Sequence, residues 1–375
     1  MSDGKTPDPL GDPQIIESLN MELEQADPSR HPCSGLTSSI SSAASIRSNG
    51  EDRSGVTAGT GKHLLLKSSK LAIAIVPAEG GRVTSLRCNR TNVEFLTEAR
   101  ANRAPFERGM QASFQDGPTA GIEECLPTVG ACSDETGGGA VPDHGDFWQL
   151  EWKVLRSSSS EVTMECDGFS RPLRMRKEFS VAHSSFRIAY TVTNIGVADV
   201  SMLYACHPLF AVDTGDRICL PPEVTRMRVD YDRGGRIGAK GDVIAWPEPV
   251  TGVLLDETQA ADAGVAVMLY TERLLHGVCG LYRSRARQGI VMRFDPAVLP
   301  FLGVWLCYGG WPEQPGYPKQ YAVAMEPTFA SVNTLAAAQR NGQSRLLRPG
   351  EAVQWEIVFE VSEPGLSLKE FRCCL

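Results

Sequence analysis

The chain has 375 residues, of which 42% are apolar, and its formal net charge is -8 at pH 7. This length is enough for one large domain or two ordinary ones, and the apolar fraction supports a sizeable core. The acidic balance disfavours nucleic acid and anionic membrane surfaces as partners, because both require a basic face.

The N-terminus and the cysteines indicate the compartment. The first residues, MSDGKTPDPLGDPQ, are acidic and proline-rich without the apolar segment of a secretory signal, and no stretch is apolar for long enough to span a bilayer. The 11 cysteines are irregularly spaced and include no CxxC pair. This usage is typical of free thiols in a reducing compartment. We therefore expect a cytoplasmic protein.

The composition divides the chain into three parts. Residues 1–60 are rich in Ser, Gly, Asp and Pro and contain no aromatic residue. Such a segment buries too little apolar area to offset its ordering entropy, so a disordered low-complexity tail is predicted. Residues 61–363 form the predicted folded domain, and residues 364–375 are expected to be a C-terminal tail.

The sequence pattern of the predicted folded domain is that of an all-β protein. Short runs such as KLAIAIVP, FRIAYTVTN, GVAVMLYT and VQWEIVFEV are rich in β-branched and aromatic residues and are separated by Gly, Asp, Asn and Pro. Helical periodicity is scarce, with TLAAAQRNG the best short candidate. Many short strands in about 300 residues predict a large β-sandwich of two big sheets.

Two titratable residues each precede a proline within an apolar run. His207 and Pro208 lie in SMLYACHPLFAVD, and Glu326 and Pro327 lie in YAVAMEPTFA. Proline pushes the preceding residue towards extended geometry and cannot donate to a sheet ladder. We therefore expect pairing to stop there, so that each side chain projects from the end of a strand. Together the two suit acid–base catalysis, although a satisfied core histidine and a solvated glutamate are the alternatives.

Another histidine lies in PDHGDFWQLEW. His144 has Asp143, a candidate substrate-binding residue, before it and Trp148 after it. One histidine is too few for a metal site, and no second histidine follows at helical or hairpin spacing, so no metal is predicted. An indole face stacks on the apolar face of a sugar ring, so Trp148 indicates carbohydrate binding, with ordinary packing as the alternative.

Two further segments contain candidate substrate-binding residues. In GIEECLPTVG, Glu123 and Glu124 face opposite ways on a strand, so only one can face a cleft, and periodicity leaves open which. Glu124 is the candidate. In GVWLCYGGWPEQPG, Trp305 lies near a glycine pair, which is typical of a binding loop or of a packed turn.

The order of these motifs resembles the aldose 1-epimerase (galactose mutarotase-like) superfamily over about residues 65–361. The segments that carry the resemblance are PAEGGRVTSLRCNRTNVEFL, GIEECLPTVG, PDHGDFWQLEW, YTVTNIGVADVSMLYACHPLF, VWLCYGGWP, AMEPTFASVNTL and LRPGEAVQWEIVFEV.

The resemblance implies a β-supersandwich that interconverts sugar anomers without a metal or organic cofactor. It implies that Glu326 takes the proton of the anomeric hydroxyl, that His207 protonates the ring oxygen and that His144 assists by hydrogen bonding. The ring then opens, the aldehyde rotates and the ring closes as the other anomer. Candidates for the arginine that orients sugar hydroxyls are Arg103 and Arg108.

Two other functions stay open. A hexose-phosphate 1-epimerase needs arginines at the rim of the cleft, and Arg283, Arg285 and Arg287 in LYRSRARQG would share one face of a strand. A solvated basic edge is the alternative for these three. The other possibility is a non-catalytic carbohydrate-binding protein. Such a protein needs no acid–base pair, so the presence of both His207 and Glu326 favours an enzyme. The expected partner is a small-molecule sugar, and the oligomeric state stays open.

Overall fold

A computed structural model describes residues 63–99, 106–134 and 138–375. The tail predicted over residues 1–60 and the candidate Arg103 lie outside the described residues. Within the described residues, no helix has the length and apolar character needed to cross a membrane.

Strands dominate the described residues, in agreement with the predicted all-β class, and only two short α-helices accompany them. The strands are β1 Leu64–Lys67, β2 Leu71–Val76, β3 Arg82–Cys88, β4 Gly121–Cys125, β5 Cys132–Asp134, β6 Gly139–Val141, β7 Lys153–Ser157, β8 Glu161–Asp167, β9 Leu173–Ala182, β10 Ser185–Asn194, β11 Val200–Met202, β12 Ala205–Phe210, β13 Arg217–Cys219, β14 Arg226–Asp232, β15 Val243–Ala245, β16 Val265–Thr271, β17 Val278–Arg283, β18 Gln288–Phe294, β19 Phe301–Tyr308, β20 Tyr321–Thr328, β21 Arg345–Leu347 and β22 Ala352–Val361; the helices are α1 Leu335–Arg340 and α2 Leu368–Arg372.

Two large antiparallel sheets form the sandwich. The ten-stranded sheet has the order β1-β2-β3-β4-β12-β20-β19-β16-β14-β15, and the eight-stranded sheet has the order β13-β17-β18-β22-β10-β9-β8-β7. Two small pairs, β11 with β21 and β5 with β6, complete the strand pairing. One continuous apolar core takes side chains from both large sheets, so it lies between them.

The eight-stranded sheet buries one face. Along β9, β10 and β22 buried residues alternate with more exposed ones. Because successive side chains of a strand point to opposite faces, this alternation buries the face that packs on the other sheet.

The centre of the ten-stranded sheet is buried on both faces. Strands β12 and β16 are buried at every residue, and β20 at all but its first. Inner side chains such as Val323 and Met325 join the main core. Outer ones such as Ala324 and Leu209 join a second apolar cluster with Phe114, which comes from a loop. We call this loop-covered side the outer face of the ten-stranded sheet.

The segment predicted as a C-terminal tail is folded. Helix α2 begins with a capping box in which Ser367 and Glu370 bond each other's backbone N–H groups. Phe371 is fully buried, and a Cβ added to Gly280 or Gly289 would touch its ring. Aromatic burial against two glycines of the eight-stranded sheet therefore fixes the end of the chain.

One local prediction is confirmed. Helix α1 lies in the segment TLAAAQRNG, with the Thr334 side chain accepting a hydrogen bond from the backbone N–H of Ala337. His183 occupies the two-residue turn between β9 and β10 and has a positive φ of 48°.

Candidate active site

His207 and Glu326 stand opposite each other on neighbouring strands. The register of β12 against β20 pairs Leu209 with Ala324, which puts His207 opposite Glu326. His207 Nε2 lies 3.5 Å from Glu326 Oε1. The two residues are 5% and 2% exposed, so most of the contact is shielded from water. The structure therefore brings together the two residues that the sequence analysis paired as acid and base.

The prediction that strand pairing stops at each proline is wrong. Strand β12 continues through Pro208 to Phe210, and β20 continues through Pro327 to Thr328. Each proline lacks one ladder donor, but β12 stays paired with β4 and β20 stays paired with β19. His207 and Glu326 consequently lie in the middle of the outer face, not at a sheet edge.

His144 lies beside this pair. Its backbone has a positive φ of 57° and is followed by Gly145, also at positive φ, so the chain turns sharply here. The imidazole Nδ1 lies 2.8 Å from Asp143 Oδ1. The centroids of the His144 and His207 rings are 5.4 Å apart. Because the carboxylate orients the ring, Asp143 acts on the site through His144.

Phe114 covers both histidines. Its ring stacks on His144 at a centroid distance of 3.9 Å and an interplanar angle of 7°, and it meets His207 edge-on at 5.2 Å. Its backbone N–H donates to Asp143 Oδ2 at 2.8 Å. The sequence analysis missed this residue, because one phenylalanine in a loop has no periodicity or motif to mark it.

Burial controls the protonation of the pair. It raises the pKa of Glu326 to about 8. It also lowers the pKa of His207 to about 3, with a further contribution from the nearby His144. A buried pair is least costly when both members are neutral, so near pH 7 the pair holds one proton and keeps it on Glu326.

The pKa of Asp143 moves the other way. Burial acts to raise the pKa of this carboxyl, but the charge and hydrogen bond of His144 and the Phe114 N–H outweigh it, so the pKa lies below its usual value. Asp143 is therefore an anion that orients His144.

The structure corrects the choice between the two adjacent glutamates. Glu123 pairs with His207 across β4 and β12, which places it on the outer face beside the histidine. Arg82 Nε lies 3.4 Å from Glu123 Oε1, and both side chains are almost fully buried. Arg82 was not singled out from the sequence. The segment EGGRV offered no signal except a charge in a turn.

Glu124, the predicted substrate-binding residue, points the other way. It lies between the sheets, where its carboxylate accepts hydrogen bonds from the hydroxyls of Tyr190 at 3.1 Å and Tyr204 at 2.8 Å. Lys177 Nζ from the eight-stranded sheet lies 3.5 Å from Glu124 Oε1. Successive side chains along β4 point to opposite faces of the sheet. Because Glu123 lies on the outer face, Glu124 must point into the core.

The two tryptophans differ in their surroundings. Trp148 is 1% exposed, its indole N–H donates to the carbonyl of Asp143 at 2.9 Å, and Phe106 stacks on its ring at 5.0 Å. It supports the histidine turn rather than presenting a free ring face. Trp305 is partly exposed on the outer face and donates to Gln320 Oε1 at 2.7 Å. It belongs to the apolar cluster that borders the acid–base pair.

The candidate arginines are not directed at the pair. Arg108 is exposed and donates to the carbonyl of Ala78 at 3.2 Å. Arg283 makes ion pairs at 2.7 Å with Asp213 and with Asp216. Strand β17 ends at Arg283, so the predicted strand face shared with two further arginines does not exist.

The thiols and the metal-ligating side chains supply no second reactive cluster within the described residues. All ten cysteines of the described residues are free. Within the same residues, no group of three or more His, Cys, Asp or Glu side chains could hold a metal ion.

Comparison with known proteins gives matches by structure only. No family model matches the sequence, and no curated protein gives a significant match. The Slr1438 protein from Synechocystis sp. PCC 6803 has a TM-score of 0.59 at 15% identity, covering 83% of this chain and 99% of that chain. A protein from Escherichia coli K12, provisionally named an aldose 1-epimerase, has a TM-score of 0.60 at 16% identity, with coverages of 80% and 99%.

A galactose mutarotase-like protein from Lactobacillus casei ATCC 334 has a TM-score of 0.58 at 16% identity and covers 80% of this chain and 100% of that chain. These similarities extend over whole neighbouring chains and over most of the sandwich described above. The chain therefore has the fold of the aldose 1-epimerase and galactose mutarotase-like superfamily.

Proposed function

We propose that this protein is an aldose 1-epimerase-like isomerase that interconverts the α and β anomers of a hexose or related sugar. The observation that carries the proposal is the contact of His207 Nε2 with Glu326 Oε1 at 3.5 Å on the outer face of a mutarotase-like sheet. A purely sugar-binding site needs no such pair, because binding requires hydrogen bonds but no proton transfer.

In the proposed reaction, Glu326 takes the proton of the anomeric hydroxyl while His207 gives a proton to the ring oxygen. The C1–O5 bond breaks to give the open-chain aldehyde. Rotation about C1–C2 exposes the other carbonyl face, and the reverse proton transfers close the ring. Each transfer by a positioned side chain typically contributes about 10²- to 10⁴-fold. His144, oriented by Asp143, assists by hydrogen bonding to the sugar.

These roles require the shared proton to lie on His207 when sugar is bound. In the free protein burial favours it on Glu326, whose pKa is about 8. Sugar hydroxyls bound beside the carboxylate would supply the hydrogen bonds that burial removes, and hydrogen bonds to a carboxylate lower its pKa. We infer that sugar binding moves the proton across the gap to His207.

The charges around the pair favour an uncharged sugar. Glu123 lies beside His207, Asp143 binds His144, and Arg82 is bound to Glu79 at 2.6 Å as well as to Glu123. A phosphorylated sugar would meet these acidic side chains, while Arg283 of the predicted basic segment is bound to Asp213 and Asp216. The phosphate-specific epimerase therefore ranks below the free-sugar enzyme.

The test is anomer exchange measured by proton NMR. Purified protein is added to freshly dissolved α-glucose, α-galactose and α-glucose 6-phosphate, and each rate is compared with the spontaneous rate. We expect acceleration with a free sugar. Glu326→Gln should lower that acceleration by about 10²-fold or more, because it removes one proton transfer.

Glu161→Gln is the matched control, because the exposed Glu161 at the start of β8 only pairs with the exposed Arg156 on β7. It should leave the rate unchanged. Acceleration only with the phosphate would favour the hexose-phosphate epimerase. Sugar binding without acceleration would favour a carbohydrate-binding protein, and wild-type turnover by Glu326→Gln would refute the role of Glu326.

A further inference from the structure

One buried hydroxyl on the outer face lacks a partner. Tyr270 on β16 is 1% exposed. Among the described residues, no group makes a hydrogen bond with its hydroxyl. Buried polar groups in folded proteins are normally hydrogen-bonded, because an orphan hydroxyl has lost its water without compensation. A buried hydroxyl of this kind is available to a molecule that binds beside it.

The strand register places this tyrosine in line with the acid–base pair. Tyr270 pairs with Gly303 across β16 and β19, and Gly303 pairs with Glu326 across β19 and β20. His207 continues the same row on β12. Neighbouring strands are about 4.8 Å apart, so Tyr270 is attached about 10 Å from Glu326 on the side away from His207.

Gly303 leaves space between the side chains of Tyr270 and Glu326. A Cβ added at Gly303 would lie 2.7 Å from Met268 Cε, 3.2 Å from Tyr270 Cε1 and 3.3 Å from the Cβ of Glu326. The missing side chain therefore lets the Met268 methyl, the Tyr270 ring edge and the base of the Glu326 side chain come close together above β19. Glycine is required here for close approach, since the backbone conformation is not unusual.

The hydroxyl is suited to donate a hydrogen bond. Burial raises the pKa of Tyr270 well above its usual value, and the charge of Glu326 acts in the same direction. The phenol therefore keeps its proton across the working pH range and can offer it to an acceptor oxygen.

We propose that Tyr270 is a specificity-determining residue whose hydroxyl donates a hydrogen bond to one hydroxyl of a sugar held at Glu326. The proposal rests on the proposed function, since it takes the same site as the place where the sugar binds. A ring anchored by its anomeric end at His207 and Glu326 and directed towards β16 would displace the Met268 methyl above Gly303, and its remaining hydroxyls would be the acceptors offered to Tyr270.

The experiment compares wild type with Tyr270→Phe, which removes only the hydroxyl. With the best sugar, kcat/KM of anomer exchange should fall about 3- to 15-fold, the range expected for one neutral hydrogen bond. A panel of monodeoxy derivatives of that sugar identifies the acceptor. The derivative that lacks the acceptor hydroxyl should have the same reduced kcat/KM with the wild type as the parent sugar has with Tyr270→Phe. For this derivative, kcat/KM should not fall further when Tyr270→Phe replaces the wild type.

Tyr308→Phe is the matched control. Tyr308 is another buried tyrosine without a hydrogen-bond partner for its hydroxyl among the described residues, but it belongs to the core between the sheets. Its variant should leave kcat/KM and the deoxy-sugar pattern unchanged. Equal behaviour of the two variants, or an identical loss with every deoxy sugar, would overturn the role of Tyr270.

The outcome separates this proposal from the proposed function. If the wild type accelerates no sugar, the epimerase proposal fails before any variant is compared. The same sugars are then titrated by calorimetry into wild type and Tyr270→Phe. Weaker binding by the variant supports the hydroxyl contact, and equal affinity, including no binding by either protein, overturns it.

Discussion

At the scale of single residues, the site depends on two titratable groups that burial drives in opposite directions. With a pKa of about 8, the carboxyl of Glu326 is protonated below that pH, and with a pKa of about 3, the imidazole of His207 is neutral above that pH. Between these limits the pair carries one proton in total, whichever side chain holds it. Anomer exchange needs one donor and one acceptor, so this singly protonated pair is the competent form.

The expected consequence is a broad pH optimum with an alkaline limb near pH 8. Above that pH the remaining proton leaves Glu326, so kcat/KM should fall about tenfold per pH unit, because kcat/KM reports the pKa values of the free enzyme. The measurement is anomer exchange from pH 5 to 10 after subtraction of the spontaneous rate. A rate that stays level to pH 9.5 would contradict the raised pKa of Glu326.

At the scale of elements, the segment Phe114–Asp116 acts as a cover over the site. Phe114 stacks directly on His144, which leaves no room for a sugar ring between them. The hydroxyl of Tyr317, from the loop after β19, donates to Asp116 Oδ1 at 2.6 Å and links the cover to that loop. In the proposed reaction the sugar hydrogen-bonds the edge of His144. A sugar ring that also lies over the face of His144 has to displace the cover, so the closed form would compete with it.

Tyr317→Phe should weaken this link and favour the open form. One hydrogen bond contributes about 1 kcal/mol, which corresponds to about a fivefold shift of an open–closed equilibrium. Because apparent affinity scales with the competent fraction, KM should fall by up to about fivefold. Tyr321→Phe is the control, since its hydroxyl bonds the carbonyl of Gln259 away from the cover. A raised KM in Tyr317→Phe would mean that the closed cover holds the sugar.

At the scale of the whole molecule, one buried ion pair connects the two sheets beneath the site. Lys177 reaches from β9 to Glu124 and donates to the carbonyl of Gly81 at 2.8 Å. Its ammonium also lies 4.2 Å from the ring centroid of Trp152. Burial raises the pKa of Glu124 and lowers that of Lys177. A charge pair in this position stabilises the protein only while both members are present.

Lys177→Met should therefore lower the free energy of unfolding by about 3 to 5 kcal/mol, because it leaves an uncompensated carboxylate in the core. Urea denaturation at pH 7 measures the loss. Lys153→Met on the exposed strand β7 is the control and should change little. Lys177→Met combined with Glu124→Gln should recover part of the stability. No recovery in the double variant would show that the lysine acts through its contacts with Gly81 and Trp152 and not through the carboxylate.

The sequence by itself determined the fold class, several of the strands and the two side chains that we propose as acid and base. Alternating and apolar runs mark strands wherever they occur, because the side-chain period of two is a local property. The His-Pro and Glu-Pro pairs could be recognised for the same reason, since each motif lies within a few consecutive residues.

Only the tertiary structure decided which side of each strand faces the site. The register of β4 against β12 put Glu123 beside His207 and sent Glu124 into the core. Strands β12 and β20 stay paired with β4 and β19 beyond their prolines. The site therefore lies on a sheet face, not at a strand end. The contact of Phe114 with His207 and the position of Tyr270 in the same row of side chains as Glu326 join residues distant in sequence. Such contacts arise from packing and strand order, which no local pattern encodes.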